Sequence, residues 1–89
     1  MEHIRYAVAA CQTDLPNPVE RREMRRNTER MLSMIDSAVA GAAPFLPVRL
    51  VVFPEFAHAA PVFPTVKELF DKLAVRIPNE HTEALEMKA

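Results

Sequence analysis

At 89 residues the chain has room for a single small domain, and a net charge of −1 argues against wholesale attraction to nucleic acid or to an anionic membrane surface. The 49% hydrophobic and 26% charged content, with eight prolines against one glycine, fits a globular chain and not a disordered one. A lone cysteine, Cys11, excludes an internal disulfide and makes the cytoplasm the default compartment; no export signal opens the chain, and no apolar run approaches the roughly 18 residues of a membrane span.

In chain order, Ile4 to Cys11 reads as a strand, with Ile4, Tyr6 and Val8 on one face, small Ala7 and Ala9 on the other, and both faces covered. Asn17-Pro18-Val19-Glu20 then places an N-cap residue before a proline at the first helical position and a glutamate three residues on. This predicts a helix from Pro18 to Ala40, with Met24, Thr28, Met31, Leu32, Ile35, Ala38 and Val39 as its apolar stripe and Gly41 as its stop. Its other side carries Arg21, Arg22, Arg25, Arg26 and Arg30. Glu20, Glu23 and Glu29 offset them and no aromatic residues alternate with them, so the face reads as solvated and no nucleic-acid partner is expected.

Arg49-Leu50-Val51-Val52-Phe53 is a short continuous apolar run, as in a parallel strand buried on both faces. Strand, helix, strand makes a βαβ unit, which puts both carboxyl ends on one edge and brings Gln12 and Thr13 near Pro54 and Glu55. Further on, Thr65-Val66-Lys67-Glu68 resembles a capping box ahead of a stripe of Val66, Leu69, Phe70 and Leu73, and Asn79 to Ala89 reads as the opening turns of another helix anchored by Leu85. Two short parallel strands leave edges unpaired, so residues 1–89 are expected to be the N-terminal part of one longer domain, or a chain that borrows a partner to complete its sheet.

The residue that invites chemistry is Glu55. Pro54 donates no ladder hydrogen bond, so the second strand should stop at Phe53 and project Glu55 from the rim of the sheet. With Phe53 and Phe56 beside it, the carboxylate is expected among apolar groups, a setting suited to general acid or base work. From position alone, a surface acid after a strand is the commoner reading.

The stretches "IRYAVAACQ", "RRNTERML", "RLVVFPEF" and "IPNEHTEAL", spread along essentially the whole chain, resemble the N-terminal third of the nitrilase-like carbon–nitrogen hydrolases. Asn79 stands where that family often has glycine. The resemblance implies an α-β-β-α sandwich of which this chain holds the first βαβ portion. It also implies hydrolysis of small nitriles or non-peptide amides by a glutamate, a lysine and a nucleophilic cysteine, without cofactor or metal, in a homo-oligomer. Glu55 takes the position of the general base. The lysine and the nucleophile fall beyond Ala89, so the 89-residue chain is expected to be inactive.

Cys11 lacks the sharp strand-to-helix turn of a nucleophile and reads as a small buried thiol. Lys67, at the start of a helix, reads as solvated. His3, His58 and His81 show no metal-ligand spacing, and His58 reads as a plain loop residue, with a place at the pocket mouth as the alternative. Asn27 is expected to pack or to make a local hydrogen bond. The alternative function is a non-catalytic module that pairs its open sheet edge with a partner chain.

Overall fold

The computed structural model describes residues 3–60 and 62–89. Two strands, β1 (Ala7–Ala10) and β2 (Val48–Val52), pair in parallel, with Val8 opposite Leu50, Ala9 opposite Val51 and Ala10 opposite Val52. The register slips between Ala7 and Val8, because Ala7 pairs with Val48 and Arg49 is left over. Backbone bonds extend the ladder by one step at each end, from the Ala7 N–H to the Pro47 carbonyl and from the Cys11 N–H to the Val52 carbonyl, both 2.8 Å. The expected first strand from Ile4 to Cys11 is therefore cut down, since its only partner among the described residues runs between Pro47 and Pro54.

The crossover between the strands is the helix α1 (Met24–Ala42), entered through a single 3-10 turn at Arg21–Glu23. This corrects the expected start at Pro18. The N-cap position of that turn is Glu20 and not Asn17, and the Glu23 carboxylate reaches back to accept from the Val19 N–H at 3.2 Å. Gly41 does not stop the helix but lies inside it, and no glycine has positive φ. Helix α1 ends because Pro44 has no N–H to continue the ladder, and the N–H groups of Phe45 and Leu46 turn back onto the Ala42 carbonyl. The stripe is real over its first half, where Met24, Thr28 and Met31 are buried.

Two short helices follow. In α2 (Val66–Lys72) the Thr65 hydroxyl accepts from the Glu68 N–H at 3.2 Å, as its sequence predicts, but only Leu69 and Leu73 of the stripe are covered, and Val66 and Phe70 are exposed. Arg21 reaches across to the far end of α2, donating from Nε to the Ala74 carbonyl and from Nη2 to the Phe70 carbonyl, each at 2.6 Å. One arginine of the expected solvated face thus holds the last carbonyls of a helix. In α3 (Glu80–Lys88) the Asn79 side chain accepts from the N–H groups of His81 and Thr82, and Thr82 Oγ1 accepts from the Asn79 N–H, a complete capping box. Helix α3 packs on α1, and Lys88 Nζ lies 2.6 Å from Asp36 Oδ1.

The core is thin: among the described residues the buried apolar side chains are Met24, Met31 and Leu73, together with Pro18. The radius of gyration of 15.7 Å exceeds the about 12 Å expected for a compact domain of this length. The sheet shows why. Ala9 and Val51 share the half-covered face, whereas Val8 (55% exposed), Leu50 (52%) and Val52 (49%) line up on a face that no helix among the described residues covers. Both expectations of strands buried on two sides are corrected: one face is bare.

Candidate functional site

Parallel pairing puts the ends of β1 and β2 side by side, as the βαβ order requires. At this carboxyl edge Ala10, Cys11, Gln12, Val52, Phe53 and Pro54 line a shallow cleft of about 190 Å³. Cys11 is half-buried just after β1, with its N–H held by Val52. Glu55 follows in a turn with Phe56, immediately past the cleft wall. The expected enclosure by apolar neighbours is not built: Glu55 and Phe56 are both exposed, and Phe53 and Pro54 are half-buried. Phe56 adopts φ = 59°, the left-handed region that a residue with a Cβ enters at a cost of roughly 1–2 kcal/mol.

Three residues after Glu55 the loop is anchored twice. Asn27, 1% exposed at the end of the first turn of α1, donates from Nδ2 to the His58 carbonyl at 2.8 Å and to the Pro16 carbonyl at 2.9 Å. One amide therefore ties together the loops that leave β1 and β2. Its orientation is fixed by chemistry, because the flipped amide would aim an oxygen at two carbonyl oxygens. Asn27 Oδ1 is buried and has no partner among the described residues.

The second anchor is the His58 ring, whose Nε2 lies 3.0 Å from Thr28 Oγ1. The same hydroxyl is 2.6 Å from Nδ1 of His81 and 3.3 Å from the Met24 carbonyl. The two imidazoles sit with centroids 5.3 Å apart and planes at 49°. His81 is buried, and its Nε2 lies 3.6 Å from Glu80 Oε1. Burial first, and the neighbouring His81 second, hold the pKa of His58 below the ordinary histidine value of 6.5.

The cluster joins residues 30 and 53 positions apart, so no local spacing announces it. Its one sequence signal is a threonine inside the apolar stripe, next to an asparagine. His58, expected as a plain loop residue, is an anchor of the Glu55 loop. Asn27 bonds across the fold and not locally. Lys67 is exposed on α2 and His3 near the N-terminus, both apart from the cluster. Among the described residues no three His, Cys, Asp or Glu side chains are grouped to hold a metal ion, and no helix is long and apolar enough to cross a membrane.

No family model matches the chain, and neither a curated protein nor a solved structure matches it.

Proposed function

We propose that this chain is the first βαβ unit of a nitrilase-like carbon–nitrogen hydrolase and that Glu55 is its general base. The observation that supports this most is the placement of "RLVVFPEF": β2 ends before Pro54, and Glu55 follows in the turn at the carboxyl edge, next to the end of β1. Open parallel sheets place their ligands at that edge. The bare face of Val8, Leu50 and Val52 supports the same reading, since it is the surface a second sheet would cover in an α-β-β-α sandwich.

In this reading Glu55 takes the proton of a cysteine thiol supplied by residues beyond Ala89. The thiolate adds to the carbon of a small amide, the protonated Glu55 returns its proton to the nitrogen, which leaves as amine or ammonia, and Glu55 then takes a proton from the water that splits the thioester; a nitrile first gives a thioimidate, to which one water adds before ammonia leaves and a second splits the thioester. A lysine from outside this chain steadies the oxyanion. No cofactor is required, and a homo-oligomer in the cytoplasm is the setting. The test is ammonia release from simple amides and nitriles by the coding sequence continued past Ala89. Glu55→Gln should lower that rate at least about 10²-fold, the scale of a general base, and an unaffected rate overturns the proposal.

The bare apolar face and the two open strand edges also favour a second reading, a module that pairs its sheet with a partner chain. A single defined oligomer of the 89-residue chain in light scattering supports this module; aggregation opposes it. The arginine face of α1 gives nucleic-acid binding no comparable support, because Arg21 is spent on α2 and Arg22 Nε lies 2.7 Å from Glu20.

A further inference from the structure

We propose that Asn27 and Thr28 form a proton-linked latch on the Glu55 loop: Asn27 holds the backbone of His58, Thr28 holds its ring, and charging His58 against His81 opens the latch. Glu55's place in catalysis rests on the hydrolase reading above; the latch does not.

Thr28 has one hydroxyl proton and three neighbours that compete for it. The proximity of His81 Nε2 to the Glu80 carboxylate favours the tautomer with its proton on Nε2, which leaves His81 Nδ1 as an acceptor. The Thr28 hydroxyl then donates to His81 Nδ1 across 2.6 Å, and its oxygen accepts from the His58 Nε2–H across 3.0 Å. Both protons of this relay point the same way, and the Thr28 hydroxyl both donates and accepts while the two rings are neutral. A proton on His81 Nδ1 would force the hydroxyl to turn to its poorest neighbour, the Met24 carbonyl at 3.3 Å. Charging both rings sets like charges at a centroid separation of 5.3 Å, in a site from which His58, half-buried on a loop, is the ring free to leave.

The charged groups around the pair come from two helices. Glu80 of α3 faces His81 directly, and Arg25 and Glu29 of α1 share with Glu80 the cleft of about 260 Å³ that His81 lines. Arg25 and Glu29 are opposite in sign and offset each other, and the Glu80 carboxylate lies against the His81 ring. The lowered pKa of His58 agrees with this arrangement. Release matters to Glu55 because His58 is only three residues away and the intervening Phe56 sits in a backbone region that needs outside support.

The test is an NMR titration of the 89-residue chain from about pH 8 to about pH 4.5, spanning the ordinary histidine value of 6.5. The His58 midpoint should lie below that value, and the amides of Phe56 to Ala60 should shift with the His58 midpoint. Thr28→Val should move the His58 midpoint towards the ordinary value and raise amide exchange in this loop about fivefold, the equivalent of one lost hydrogen bond. Thr28→Ser should restore both. His58→Gln, on a half-buried ring, should keep the folded spectrum and abolish the loop's pH response. The latch is overturned if the loop amides follow no histidine, if Thr28→Val changes nothing, or if all three histidines titrate together, as in an unfolded chain. No substrate enters this experiment, so its failure leaves the hydrolase reading standing, and a failed Glu55→Gln test leaves the latch.

Discussion

Asn27→Ala removes a side chain that bridges the loops after β1 and β2, and the structure sets the size of the loss. Two hydrogen bonds disappear, at 2.8 and 2.9 Å, each worth about 1 kcal/mol net, and the His58 carbonyl is less able to recover a partner than that of Pro16, because His58 is half-buried while Pro16 is exposed. Against this, alanine is the better helix former by roughly 0.5 kcal/mol, and the buried, unpartnered Oδ1 goes too. The expected destabilisation is about 1–2 kcal/mol. Asn27→Asp keeps the shape but turns two donors into a charged acceptor facing two carbonyl oxygens, and should cost about 3 kcal/mol or more. Urea unfolding followed by far-UV circular dichroism reads both, provided the slope is unchanged. A loss under about 0.5 kcal/mol for Asn27→Ala, or an aspartate variant as stable as the alanine one, would refute the bridging role.

At Phe56, glycine should exceed alanine in stability by about 1 kcal/mol, since the two lose the same aromatic contacts and differ in their tolerance of φ = 59°; equal stabilities would mean that the turn is not left-handed in solution. Asn79→Ala should cost about 1–2 kcal/mol in thermal or urea unfolding by breaking the capping box of α3, while Asn79→Asp, which keeps an acceptor at the N-cap, should recover most of it. His58 makes stability pH-dependent with a definite sign. Its folded pKa is lowered, so between the folded and unfolded values the unfolded chain binds more protons, and stability must fall as pH drops through and below about 6.5. Unfolding of the wild type against His58→Gln at several pH values checks this, and a parallel pH dependence of the two excludes His58 as the source.

The parts of this fold written in short stretches are the parts its sequence announces. Pro54 ends β2, Thr65 caps α2 and Asn79 caps α3, because each effect acts within one to three residues of its cause. The helix entry at Asn17-Pro18 looks equally local yet does not form, because Pro18 is buried, the Pro16 carbonyl is engaged by Asn27, and the backbone turns into α1 only at Arg21. Strand length depended on the partner: β1 is as long as the reach of β2 and not as long as its own apolar run. The anchors of the Glu55 loop lay furthest from view. Thr28, His58 and His81 belong to three separate elements, and only a polar pair interrupting the stripe of α1 hinted at them.

A general base needs two things, a fixed position and a dry surrounding, and in this chain they separate. Position is supplied from within: the amide of Asn27 and the hydroxyl of Thr28 hold the loop at a point three residues from Glu55. Dryness is not, because the phenylalanine that was to shelter the carboxylate is exposed beside it and the neighbouring sheet face is bare. On the hydrolase reading the division is physically sensible. Hydrogen bonds of fixed geometry set the loop before assembly, and apolar burial, which has no directional requirement, arrives with whatever covers Val8, Leu50 and Val52. On that reading Glu55 gains the apolar surroundings of a working base only once its sheet is covered, so activity requires the covered sheet.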